Sequence, residues 1–588
     1  MTSPLKFTRL RIIVFTGIIF IIFFVLVSRL GFFQIVIGAD LKKDALEQWA
    51  TDVKIYPQRG VIYDRKGVKR LAISISGYKI ECITPDVEDP LETAEKLSSY
   101  LEIDKEEIHE MIISNDRYVK LKDWVDKEVG DKLKEEKING ILVVSNSKRY
   151  YPMNNLASHI IGFTDIDTKG LYGIEKSYDE YLKGTPGRLI INTDTWGRQL
   201  PYDNERRIEP KPGNNIVLTI DEPIQHFAEK AATQGLIDND ALRATVFIME
   251  PNTGDILAMV SKPDYNLNTP RVPMNMDTMK KWEGLNQKEL EIEWNRLWKP
   301  HPITDIYEPG STFKIITAAA ALEENLLTLD TKFHSDGYIK VPGGTLKCWR
   351  HYEPHGEQTF LEGMQNSCNP VFVETSEILG QENLMRYINA FGFGEKTGID
   401  LLGEASGIVP DGDESLRQIR LATMSYGQGI SVTPIQLLSA ISAIANDGIL
   451  MQPRIVKNII DEDKKIQEHF EPHMIRKVIS KETSKTLLYM LEKVVNEGTG
   501  KYAYVPGYRV GGKTGTAQKP IDGKYSEDKF FSSFVAVAPV NDPKIVVLVI
   551  VDEPNPDINI YGGKVAAPIA AKVIESTLKY LNVAPQFN

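Results

Sequence analysis

The chain has 588 residues, too many for one hydrophobic core, so about three or four domains are expected. Hydrophobic residues make up 42% and charged residues 25%, which excludes a disordered or fibrous chain. A net charge of -11 excludes nucleic acid as a natural partner, because phosphate binding calls for a basic face, and three cysteines exclude a disulfide framework.

Residues 12–27 carry no charge, and after Ser28 and Arg29 a second apolar patch over 30–37 extends them. The pattern predicts a transmembrane anchor over 12–37, preceded by a cytoplasmic tail of residues 1–11. Lys6, Arg9 and Arg11 lie before it and acidic residues only after it, so the positive-inside rule places everything from about Ala39 outside the cell. A cleaved signal peptide is the competing reading. Against it, Phe32, Phe33 and Gln34 stand where a small-residue cleavage site would have to lie.

Residues 38–212 alternate short β-like runs, such as 61–63 and 189–192, with charged helical patterns, such as 91–101 and 127–136. This reads as an elongated α+β pedestal for spacing or docking, its charge runs being solvated helix faces. The loop Lys211-Pro212-Gly213-Asn214-Asn215 marks the boundary to a second domain, residues 213–588. There 216–220 reads as a strand and 222–234 as a helix, followed by strands at 244–250 and 256–261 joined through the turn Pro251-Asn252-Thr253-Gly254-Asp255. Residues 262–298 form an unusually charged insertion. Helical blocks follow at 311–324, 360–379 and 434–447, and strands return at 509–512, 530–538 and 545–551. Strands at both ends with helices between predict an α+β domain, one antiparallel sheet covered by helices.

The first candidate for chemistry is Tyr307-Glu308-Pro309-Gly310-Ser311-Thr312-Phe313-Lys314. Pro309 and Gly310 punctuate the backbone and put Ser311 at a helix entrance. Lys314 follows one turn on, close enough to take the hydroxyl proton if burial or a neighbouring cation keeps its amine neutral. A capping serine beside a solvated lysine is the simpler alternative. Next, Cys348-Trp349-Arg350-His351-Tyr352-Glu353-Pro354-His355-Gly356 has Cys-x-x-His-x-x-x-His spacing. With Cys368 as a fourth ligand, Cys348, His351 and His355 would suit a structural zinc. Buried cysteines acting as small hydrophobes, or a Cys348 to Cys368 disulfide, are the alternatives. Ser367-Cys368-Asn369 then offers a hydroxyl for proton relay beside an amide that both donates and accepts. Finally Lys513-Thr514-Gly515-Thr516, following a strand over 508–512, sets a cation and two hydroxyls on a strand edge as a carboxylate clamp, with Gly515 removing a side chain that would block a ligand.

Ser-x-x-Lys, Ser-x-Asn and Lys-Thr-Gly in this order form the signature set of penicillin-recognising serine acyltransferases. On these motifs the chain resembles the class B penicillin-binding proteins, the monofunctional peptidoglycan DD-transpeptidases, and most closely their division and sporulation branch. Arg59-Gly60 with Asp64-Arg65, Arg149-Tyr150-Tyr151-Pro152, residues 170–187 and Tyr426-Gly427-Gln428-Gly429 carry the resemblance further. It implies a pedestal or dimerisation-like domain before a transpeptidase domain, stem peptides ending in D-Ala-D-Ala as substrate, and β-lactams as ligands. It further implies Ser311 as nucleophile, Lys314 as base, and Ser367 with Asn369 at the leaving group. Lys513, Thr514 and Thr516 would hold the terminal carboxylate, and the backbone N–H groups of Ser311 and Thr516 the oxyanion. No cofactor is expected for catalysis. The implied setting is the membrane, beside a membrane-embedded glycan polymerase of the SEDS type. Rival readings are a DD-carboxypeptidase or β-lactam sensor sharing the acylation step, and a non-catalytic scaffold.

Overall fold

The computed structural model describes residues 4–38, 50–115, 117–192, 206–410, 418–521 and 523–586. The N-terminal apolar run forms a helix over Pro4–Gly31, continued by a π-helical turn at Phe32–Val36. Its Ile, Phe, Val and Leu side chains are exposed. Among the described residues it is the one helix long and apolar enough to cross a membrane.

The chain divides into two units, one of residues 1–58, 75–148 and 184–212, the other of 59–74, 149–183 and 213–588. Segments 59–74 and 149–183 are thus grouped with the residues that follow 212. In the first unit, helices Pro90–Leu101 and Lys105–Ile113 start at Asp89 and Asp104, whose carboxylates accept from first-turn N–H groups. Their apolar stripes, Ala94, Leu97, Leu101 and Ile108, pack with Leu121, Val125, Leu133 and Cys82. Cys82 is thus a small buried hydrophobe.

In the second unit, segments 59–74 and 149–183 are joined by buried charge. Glu175 accepts from Arg59 Nε and from Arg149 Nε, each at 2.6 Å, and Arg59 Nη1 reaches Asp179 at 2.6 Å. Glu175 is fully buried, so removing it would leave the buried Arg149 guanidinium without a carboxylate, which typically costs about 3–5 kcal/mol.

The main sheet of this unit consists of β1 (Arg243–Glu250), β2 (Asp255–Lys262), β3 (Gly511–Ile521), β4 (Lys524–Ala538) and β5 (Ile545–Asp552). It is antiparallel, in the order β2-β1-β5-β4-β3. Central β5 reads Ile-Val-Val-Leu-Val-Ile-Val-Asp and is buried throughout, because helices cover both faces. Val547, Val549 and Val551 pack on α1 (Glu222–Asp238) and α6 (Ala567–Tyr580). Val546, Leu548 and Ile550 face the core formed with α2 (Lys314–Glu323), α3 (Asn369–Ala390), α4 (Pro434–Ala445) and α5 (Lys481–Glu497). The Ala-rich start of α2 is buried on all sides, as its lack of a polar face predicts. Strand β3 lies at the sheet edge, where one side of its backbone remains unpaired by the sheet.

Candidate active site

Ser311 stands on a single 3-10 turn, Gly310–Phe313, and α2 begins only at Lys314. The helix expected from residue 311 is shortened because the turn is tied to its surroundings. Thr312 Oγ1 donates to Pro309 O at 2.8 Å, Gly310 N donates to Gly427 O at 3.0 Å, and Tyr307 exchanges both backbone bonds with Val432 at 2.9 Å. Ser311 is partly exposed, and its hydroxyl makes no hydrogen bond among the described residues.

Lys314, one residue into α2, is fully buried. Its Nζ donates to Asn369 Oδ1 at 2.7 Å and Ser367 O at 2.8 Å, and lies 3.2 Å from Ser367 Oγ. The lysine is therefore held by the Ser-x-Asn motif and makes no bond to Ser311. The run expected as one helix over 360–379 is two, Phe360–Gln365 and α3, with Ser367 at the reversal between them in a left-handed conformation, φ +54°. Such a conformation is strained for serine and is found where function requires it. It turns Oγ inward between two amines, because Lys513 Nζ approaches it at 2.8 Å. Asn369 Nδ2 donates to Lys347 O at 2.9 Å, which fixes the amide so that Oδ1 faces Lys314.

Lys513 and Thr514 lie inside β3, whereas the sequence placed them after a strand ending at 512. Lys513 is fully buried, with Thr514 O at 3.2 Å and Thr514 Oγ1 at 3.4 Å completing its contacts. Burial pushes the Lys314 amine down to about 8, and burial together with the Lys314 charge pushes Lys513 well below its ordinary value. Gly515 packs against the turn that carries Ser311. A Cβ there would lie 2.4 Å from Ser533 Oγ and 2.9 Å from Pro309 O, so its absence lets β3 close on the turn of Ser311. Thr516 Oγ1 accepts from Gly562 N at 3.0 Å.

Sequence reasoning passed over Glu308, three residues before Ser311. Its buried carboxylate accepts from Gly429 N at 2.9 Å and from Tyr525 OH at 3.1 Å, and burial raises its pKa. Glu308 was visible as a charge inside an apolar stretch, whereas Tyr525 gave no signal. Trp349 was also missed as a cleft residue. Its Nε1 donates to Asn366 O at 3.0 Å, beside Ser367, and its ring centroid lies 6.4 Å from that of Tyr561, which precedes the Gly562 that bonds Thr516.

The four metal candidates do not all meet. The ligand atoms of Cys348, His355 and Cys368 lie within 4.8 Å of one another, with Cys348 Sγ 3.7 Å from His355 Nδ1. His351 is not part of this cluster, and its Nδ1 lies 3.2 Å from Cys348 O. Its ring packs instead on Tyr338 and Tyr352. All three cysteines are free thiols, so the alternative disulfide is not formed. The Cys368 thiol and His355 hold Cys348 well below the usual thiol range, and the same proximity raises Cys368.

Residues 244–575 match the penicillin binding protein transpeptidase domain, and residues 54–218 the penicillin-binding protein dimerisation domain. The chain is 40% identical over 585 residues to stage V sporulation protein D of Bacillus subtilis, covering 99% of this chain and 87% of that one. It is 28% identical over 589 residues to the peptidoglycan D,D-transpeptidase FtsI of Escherichia coli K12, covering 99% and 93%. Among solved structures, penicillin binding protein 3 of Mycobacterium tuberculosis complexed with aztreonam superposes with a TM-score of 0.67 at 26% identity, over 91% of this chain and 98% of that one.

Proposed function

The chain belongs to the class B penicillin-binding proteins of the division and sporulation branch, and from that premise we propose a serine acyl-enzyme route for its peptidoglycan D,D-transpeptidase activity. The observation that carries the proposal is the convergence of Lys314 and Lys513 on Ser367 Oγ, with Asn369 Oδ1 holding the Lys314 amine.

Ser311 Oγ attacks the carbonyl carbon of the penultimate D-Ala of a stem peptide and passes its proton to the neutral amine of Lys314. The backbone N–H groups of Ser311 and Thr516 hold the oxyanion. The peptide bond breaks as the leaving D-Ala nitrogen takes a proton from Ser367 Oγ, which Lys314 replenishes. The terminal carboxylate binds Lys513, Thr514 and Thr516. Two ammonium groups sharing one buried hydroxyl repel, which favours a single ammonium on the pair before substrate binds. A bound carboxylate draws that charge to Lys513 and leaves Lys314 neutral, so the substrate itself readies the base. The amine of a second stem peptide then attacks the acyl carbonyl, and the new amide releases Ser311. Glu308 has both oxygens engaged by Tyr525 and Gly429, which favours an amine over activated water as acceptor.

The exposed apolar helix anchors the chain, and the cations before it orient the catalytic unit outside. A membrane-embedded glycan polymerase of the SEDS type would supply the nascent strands on that side. Catalysis needs no cofactor in this scheme. The convergence of two thiols and one imidazole supports a structural zinc on Cys348, His355 and Cys368, beside Ser367.

Two measurements test the function. A labelled β-lactam forms a covalent adduct with an acylating enzyme and not with a scaffold. Exchange of a D-amino acid into cross-linked peptide separates transfer from hydrolysis. Absence of an adduct by intact mass would overturn the acyl-enzyme, and hydrolysis without exchange would make the protein a carboxypeptidase.

A further inference from the structure

Thr514, on the buried side of the carboxylate clamp, touches a hydroxyl that belongs to none of the three motifs. Thr499 lies in the loop after α5, 15 positions before Thr514, and its Oγ1 stands 3.2 Å from Thr514 Oγ1. This is the one hydrogen bond that the Thr499 hydroxyl makes among the described residues.

The loop is fixed by its main chain. Gly498 N and Gly500 N both donate to Val494 O, at 3.1 and 3.0 Å, and so close the end of α5. Thr499 N donates to Gln365 O at 3.1 Å, and Gln365 Nε2 donates to Glu497 Oε2 at 3.0 Å. Gln365 stands two residues before Ser367, so the loop is tied to the Ser-x-Asn motif on one side and reaches Lys-Thr-Gly on the other. The cap of α5 uses backbone alone, and the partly exposed Thr499 spends its hydroxyl on Thr514.

Proton counting gives the contact a direction. Each threonine hydroxyl carries one proton and accepts two bonds, and the contact between them uses one of the two protons. Lys513 Nζ approaches Thr514 Oγ1 at 3.4 Å, and a hydroxyl turns a lone pair, not its proton, toward a cation. A carboxylate on the clamp takes the Thr514 proton as a charge-assisted bond. The bond between the threonines then runs from Thr499 to Thr514.

We propose that Thr499 is a positioning residue for the reaction. By donating to Thr514 Oγ1 it holds that hydroxyl with its proton turned to the terminal carboxylate of the stem peptide or the β-lactam. The inference rests on the reading of Lys513, Thr514 and Thr516 as the clamp. Without the Thr499 donor, the Thr514 proton turns freely about the Cβ–Oγ1 bond and is offered to the carboxylate only part of the time.

The test compares acylation of the full chain in detergent by benzylpenicillin and by its methyl ester, which keeps the body of the molecule and removes the charge. A probe too slow to acylate is read as a competitor of a labelled penicillin. Thr499→Val should lower the benzylpenicillin rate constant about tenfold and the ester value by less than about twofold, and Thr499→Ser should return the benzylpenicillin rate to within about twofold of wild type. In a Thr514→Val background, Thr499→Val should add nothing to the loss, because the hydroxyl it acts through is gone. Thr499→Ala supplies the same comparison if the valine variant does not fold. An unchanged benzylpenicillin rate overturns the proposal. So do equal losses for acid and ester, which mark a merely structural defect, no recovery in Thr499→Ser, or additive losses in the double variant, which would make Thr499 itself the ligand. If benzylpenicillin forms no adduct with the wild type, the acyl-enzyme reading falls and the same variants are compared by equilibrium titration with the two probes. No binding there, or binding without preference for the acid, overturns the positioning role as well.

Discussion

Ser367 Oγ sits 2.8 Å from the amine of Lys513, a residue 146 positions away in the chain, and the same oxygen is 3.2 Å from Lys314 Nζ. A hydroxyl has one proton to give and can accept two, so with one amine neutral it donates to that lone pair while accepting from the other ammonium. The three groups form a path along which a proton can move without water.

The pH dependence of acylation follows from this arrangement. The neutral amine of Lys314 is the working form, and its pKa is pushed down to about 8 by burial. The acylation rate by a labelled penicillin should rise with pH toward about 8 and fall at higher pH, where the pair loses the one proton that Lys513 needs to hold the carboxylate. For stability, the folded value lies below the ordinary 10.5, so the unfolded chain binds more protons between the two. Stability from this group therefore rises with pH across that window and is lost as pH falls through about 8. A rate that is flat from pH 6.5 to 9.5, a span bracketing the perturbed amine, would remove Lys314 as base.

Ser311→Ala should abolish the covalent β-lactam adduct and leave the thermal transition within a few degrees. The hydroxyl makes no hydrogen bond among the described residues, so it contributes little to the roughly 5–15 kcal/mol typical of fold stability. Stoichiometric adduct in the variant, read by intact mass, would place the nucleophile elsewhere.

Gly515→Ala should damage both stability and acylation. The added methyl meets Ser533 Oγ at 2.4 Å and Pro309 O at 2.9 Å, and overpacking of this kind costs about 1–3 kcal/mol. The strand has to move away from the turn of Ser311, so the acylation rate should fall with the melting temperature. Unchanged melting and acylation would show that the two segments tolerate separation.

For the metal, protein purified without chelator or histidine tag should carry near-stoichiometric zinc. Cys348→Ser and His355→Ala should lose it and melt earlier, while His351→Ala should keep it, because only the first two side chains turn toward Cys368. Metal-free protein with full stability, or zinc lost in His351→Ala, would end the assignment.

Local chemistry was legible in the sequence. The three motifs, the run of β5 and the Ala-rich helix after Lys314 each follow from a few adjacent residues. Spacing gave Cys348, His351 and His355 equal claims as ligands, and only the folded chain shows which imidazole joins the thiols. The reversal at Ser367 had a local signal in Asn366, Asn369 and Pro370, which the helical pattern of the longer runs on either side outweighed. Composition could not tell the buried Arg59, Glu175 and Arg149 from solvated charges, since pairing across 116 residues for Arg59 and 26 for Arg149 leaves no local trace. The Glu308 to Tyr525 bond, spanning 217 positions, was invisible for the same reason.

Gly562 repeats the close approach seen at Gly515: a Cβ there would lie 2.2 Å from Gly515 O and 2.3 Å from Ser533 O. The Pro309 carbonyl, β3 and the Gly562 segment are thus layered backbone on backbone, and main chain offers natural variation nothing to exchange. Lineages under antibiotic pressure can reshape this wall only by giving up its contacts. Variation near the layer is therefore channelled to exposed side chains such as Trp349 and Tyr561, where a substitution alters the surface and leaves the layered backbone alone.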